Sequence, residues 1–202
     1  MDTTFLREIS LLVRSPKKGI DEIFWFGTLE KGIKAGLAGW CATHIIGFAL
    51  GIVLLPLAMT FGGFLFGFIP AVYGIFSILR EILGLGIYWF VGSFILWKLL
   101  SVLLERDFDF KQVLMGTAYV EGYTGALGLA LILVSIICIY ITPFLMILLV
   151  PLALAYVGAV IYVAVMLLSR IMNVESLTVG AVYVVLYIIN LLYNWIMRIL
   201  FA

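Results

Sequence analysis

Cys41 and His44, in the stretch CATH, bring a thiol and an imidazole within one helical turn of each other. That spacing puts both on one helix face, as half of a metal site requires. A zinc site takes three or four ligands, yet the chain has one histidine and two cysteines, the second being Cys138. His44 is therefore expected to hydrogen-bond inside a bundle, and both thiols to pack as small apolar groups. No metal, cofactor or disulfide framework is expected.

A second cluster, Glu105, Asp107 and Asp109, sits among Arg106 and Lys111 in a solvated, helix-capping context rather than as an acid–base pair. No glycine-rich phosphate loop, GxSxG elbow or HExxH motif occurs, so an enzyme is not expected. Glu121 differs, because it borders an apolar run that extends to Arg170. An acidic group at a membrane is costly unless paired or hydrated, which marks it as a functional residue, with Lys98 and Arg106 as partners. The simpler alternative is a hydrated, structural carboxylate at the edge of a span. In the last apolar run Asn190 and Asn194 stand one turn apart, with Tyr187 before them, as an interhelical hydrogen-bonding strip. The pairs Gly47/Gly51 and Gly63/Gly67 would allow close helix approach, within the bundle or between copies of the chain.

The elements that must position these residues are membrane helices. The 202-residue chain is 65% hydrophobic and 11% charged, with a mean hydropathy of +1.27, far more apolar than a soluble domain. Its net charge of +1 argues against a nucleic-acid partner. Residues 1–34 hold six basic and five acidic side chains, so the start is not a cleavable signal and the first span is expected to be an uncleaved anchor. Charge-free runs predict spans at residues 35–55, stopped by Pro56, at 83–104 with Lys98 snorkelling near its end, and at 176–197. Residues 122–169 hold two more, with the turn at Pro143 and a kink at Pro151.

Residues 61–81, rich in glycine and phenylalanine and broken by Pro70, read as a short span or a re-entrant or interfacial excursion. Basic residues favour five spans over six. With a cytoplasmic N-terminus, five spans put Arg7, Arg14, Lys17, Lys18, Lys31, Lys34, Arg106, Lys111 and Arg170 inside, leaving Arg80 and Arg198 outside. The expectation is an all-α, polytopic, five-span bundle forming one integral membrane domain over residues 1–202.

Two zones read as amphipathic and cytoplasmic. In residues 1–34, Phe5, Ile9 and Leu12 form an apolar stripe, with Arg7, Glu8 and Arg14 away from it. Ser15 and Pro16 then start a second helix carrying Ile20, Ile23, Phe24 and Trp25. Such helices lie along a membrane surface or cover the bundle's cytoplasmic end. In residues 105–121, Asp109 caps a helix with Gln112 three residues on. There Phe110, Val113, Leu114 and Thr117 share one face, and Lys111 and Gln112 look elsewhere.

Pro16 before the first span, followed by Phe110, Gln112, Val113, Leu114, Ala118 and Tyr119 before the third, resembles the Yip-domain family. These are Ypt/Rab-interacting multi-pass membrane proteins with prokaryotic relatives. The resemblance implies a role in membrane organisation and traffic without catalysis. Phe110, Lys111, Gln112, Val113, Tyr119 and Glu121 are the candidate surface for a cytoplasmic or membrane-protein partner, beside the lipids themselves. The competing expectation is a transporter or channel-like protein, or a subunit of a larger complex, suggested by Pro56, Pro70, Pro143 and Pro151.

Overall fold

The computed structural model describes residues 4–62, 84, 86, 87, 89–141, 147–186 and 188, with side chains described outside 47–62 and 136–141. Among these residues the chain is helical throughout, without strands. Its elements are α1 (Thr4–Arg14), α2 (Pro16–Phe26), α3 (Leu29–Gly62), α4 (Trp89–Leu103), α5 (Phe110–Ile141), α6 (Leu149–Met172) and α7 (Ser176–Leu186).

Helix starts follow local chemistry. Pro16 occupies the first turn of α2, where its missing N–H costs nothing, and Ser15 holds the cap position without a side-chain bond. Thr28 caps α3, its Oγ1 accepting from the Lys31 amide at 3.3 Å. Asp109 Oδ1 accepts from the Lys111 amide at 2.9 Å, so the expected cap of α5 forms. Two helices end on left-handed residues, Glu105 after α4 (φ 50°) and Asn173 after α6 (φ 51°). The amides of Arg106 and Val174 reach back to Ser101 and Ser169 carbonyls there, as helix C-caps do.

Four boundaries correct the sequence reading. Helix α3 begins before residue 35 and runs through Pro56 without stopping, despite the one backbone bond that proline removes. Pro151 lies in the first turn of α6, where free amides are normal, so it makes no kink. Residues 105–121 are not a separate membrane-lying helix: Phe110 starts a continuous helix that extends to Ile141. Pro143, and residues 61–81 beyond the end of α3, lie outside the described residues.

Contacts set the helix directions. Gly32 meets Met115, Ala118 and Tyr119, whereas Gly39 meets Glu121 and Gly122, so α3 and α5 run parallel. Helix α4 runs opposite to α5, since Trp89 bonds Thr117 whereas Trp97 packs on Phe110. Gly116 lies against Leu168 and Ile171, and Gly128 near Tyr156, so α6 is antiparallel to α5. Helix α7 doubles back on α6, its Val179 and Val182 packing with Leu168 and Met172. The starts of α3, α5 and α7 and the ends of α4 and α6 therefore share one end of the bundle.

The core lies at that end. There Leu12, Ile23, Tyr119, Val163 and Leu167 are fully buried in one cluster, and Leu100, Val113, Leu168 and Val179 in another. Towards the other end the apolar side chains turn outward, with Leu133, Val134, Ile147, Val150 and Leu154 exposed. Large apolar chains facing outward in such number suit lipid rather than water. Among the described residues, two helices, Phe110–Ser135 and Leu149–Met172, are long and apolar enough to cross a membrane.

Candidate functional site

The N-terminal half of α5 presents two carboxylate sites on different faces. One was not apparent from the sequence. Glu8 of α1 is 3% exposed, although its position beside the Phe5–Ile9–Leu12 stripe reads as solvent-facing. At 100° per residue Glu8 falls only about 60° from Phe5, close enough to be carried inward when α1 docks. Its Oε2 accepts the Tyr119 hydroxyl at 2.5 Å, and its Oε1 pairs with Lys31 Nζ at 3.2 Å. Lys31 also donates to the Phe26 carbonyl at 3.0 Å. One buried carboxylate thus joins α1, α3 and α5, compensated by a cation and a hydroxyl as a buried charge requires. The Arg7–Glu22 pair ties α1 to α2 above it.

The second carboxylate is Glu121. The expected partners Lys98 and Arg106 are not the ones it meets. Trp97 packs on Phe110, which places Lys98 and the 106–109 turn about 16 Å below Glu121 along α5. Lys98 instead lies over the Trp97 ring, 5.7 Å from its centroid. Glu121 Oε2 accepts the Trp40 indole N–H at 3.1 Å. With Trp40, Trp89, Gly36 and Ala118 it lines a cavity of about 110 Å³ between α3, α4 and α5. The Trp40 and Trp89 rings meet edge to face at 6.4 Å, and Trp89 donates to Thr117 Oγ1, which also bonds buried Ser93. A chain of polar pairs, Trp40–Glu121 and Trp89–Thr117–Ser93, therefore fastens α3, α4 and α5 within an apolar surround.

The two helices holding Trp40 and Glu121 approach almost backbone to backbone. A Cβ added to Gly125 would lie 2.4 Å from the Gly39 Cα, and one added to Gly122 would lie 2.8 Å from the Ala35 carbonyl. The seam is Gly32, Ala35, Gly36 and Gly39 on α3 against Ala118, Gly122 and Gly125 on α5. Its spacing of four and three is a small-residue pattern visible in the sequence.

The remaining expected residues disperse. Phe110 is half-buried among Phe90, Phe94 and Trp97, with centroids 5.6, 6.0 and 5.6 Å away. Lys111 and Gln112 are exposed, as expected. Val113 and Tyr119 are fully buried, which removes both from any partner surface; on α5 they point into the contacts with α6 and α1. His44 Nδ1 donates to the Trp40 carbonyl at 2.9 Å within α3, the role expected of a lone bundle histidine. Cys41 is a half-buried free thiol. Gly47 and Gly51 lie in α3 where side-chain surroundings are not described, and Asn190 and Asn194 lie outside the described residues.

Comparison with family models, curated proteins and solved structures gave no match. The functional reading rests on the geometry.

Proposed function

We propose that this chain is a non-enzymatic, five-span membrane protein of Yip-like architecture. It would present α1, α2, the 105–109 turn and the start of α5 at the cytoplasmic membrane surface, as a scaffold that organises the bilayer or docks a protein partner. The observation that carries this reading is the parallel packing of α3 and α5, with α4 and α6 running opposite to them and α7 turning back alongside α6. Parallel α3 and α5 enter the membrane from one side, and α4 returns the chain between them. The alternation through α6 and α7 then supports five crossings.

Arg7, Arg14, Lys17, Lys18, Lys31, Lys34, Arg106, Lys111 and Arg170 belong to the helix ends that meet at the packed end, the distribution cytoplasmic segments favour. The transporter reading draws less support than its prolines suggested: Pro56 lies within a continuous helix and Pro151 in a first turn.

Single cysteines placed at Lys18, Asp107 and Asn173, with Cys41 and Cys138 replaced by serine, test the arrangement in sealed vesicles. All three should react with an impermeant maleimide from the same face, the cytoplasmic one. Labelling of position 107 from the face opposite to position 18 would overturn the reading.

A further inference from the structure

A groove of about 750 Å³ opens between α2 and α6 at the packed end, away from both carboxylate sites. Exposed Lys17, Asp21 and Arg170 border it, and buried Ile20 and Ile171 line its apolar side with Phe24. Beside it Trp25 and Phe26 are 69% and 63% exposed, the aromatic signature of the headgroup level. Its volume suits a phosphate headgroup with its glycerol.

The groove's charge is arranged around one guanidinium. Arg170 lies over the Phe24 ring, 4.9 Å from the centroid. The ring holds the cation by its π face, and a guanidinium so held can still donate N–H groups to two oxygens. Asp21 stands 3.8 Å away, with both side chains more than half exposed; that is too long for a hydrogen bond and weak as a surface pair. Among the described residues Lys17 has no ion-pair partner. Two cations thus face one loosely held carboxylate beside apolar side chains.

We infer that this groove binds the phosphate headgroup of an anionic glycerophospholipid, with Lys17 and Arg170 holding phosphate oxygens and Phe24, Ile20 and Ile171 receiving the glycerol and upper acyl chain. The inference rests on the membrane reading above. Basic pockets between helices at the cytoplasmic side suit such headgroups. A zwitterionic headgroup gains less, because the groove sets two cations, Lys17 and Arg170, against the one carboxylate of Asp21.

The full chain, placed in nanodiscs of equimolar phosphatidylcholine, phosphatidylethanolamine and phosphatidylglycerol, is released into mild detergent and its retained lipids are counted by native mass spectrometry. Phosphatidylglycerol should be retained several-fold above the others. Lys17→Gln and Arg170→Gln should each lower that enrichment about fivefold, Arg170→Lys should lower it in part through loss of the fork, and Lys34→Gln, on α3, should leave it unchanged. Asp21→Asn, an exposed change with little bearing on folding, should raise it. Retention of the three lipids in their bulk ratio by a chain that inserts would overturn this inference alone. Loss of phosphatidylethanolamine on Asp21→Asn, with phosphatidylglycerol unchanged, would also overturn it. A chain that stays dispersed without lipid or detergent would overturn the membrane reading with it.

Discussion

Glu8 and Glu121 are carboxylates in apolar surroundings whose partners differ in kind. Glu8 has a cation and a hydroxyl, and Glu121 an indole N–H. Removing the hydroxyl by Tyr119→Phe should lower stability by about 1.5–3 kcal/mol, the usual worth of a hydrogen bond to a charged group. Glu8→Ala should cost more, since it removes the Tyr119 hydrogen bond and the Lys31 ion pair together; thermal unfolding in detergent measures both. Glu121→Gln keeps an acceptor for Trp40 and should melt close to wild type, which allows its functional role to be tested without unfolding the chain. Glu105, held at φ 50°, offers the opposite sign: Glu105→Gly should raise stability by about 1 kcal/mol by relieving the left-handed strain. At this scale the sequence marked Glu121 as consequential but not its partner, and it missed Glu8. A charge one step from an apolar stripe looks solvated until another helix packs over that edge.

Between elements, the α3–α5 seam carries the site. Trp40 reaches Glu121 because Gly39, Gly122 and Gly125 let the two backbones close. Gly125→Ala should therefore force the helices apart, at a cost of about 1–3 kcal/mol for overpacking. Gly92→Ala on α4, where an added Cβ meets nothing within 4 Å, should instead stabilise its helix by about 0.5–1 kcal/mol. Side-by-side melting of the two variants checks this, and equal effects would refute the seam. The caps at Thr28 and Asp109 and the first-turn Pro16 are local, so they follow from residue type. Whether a proline ends a helix is not: α3 continues through Pro56 despite the lost bond.

At the scale of the molecule, one packed, charge-bearing end and one outward-facing apolar end divide the bundle. If the packed end lies at the headgroups, Trp25 is the shallow fluorophore. In liposomes, lipids brominated near the headgroup should quench the wild-type chain more than the Trp25→Phe variant. Lipids brominated at the chain ends should not distinguish the two. The sequence alone determined that the chain is helical and apolar, where its charge-free runs fall, and that its cations gather in a few segments, because these depend on composition and nearest neighbours. Helix α5 is apolar nearly all the way round, so its sequence does not indicate which face meets α3, α4 or α6. Only the tertiary structure decided that α3 and α5 close along a small-residue seam, that Glu8 of α1 is buried against α3 and α5, and that Arg170 lies over the Phe24 ring beside a groove. Each of these brings together residues far apart in the chain, and packing between whole surfaces selects among the faces available.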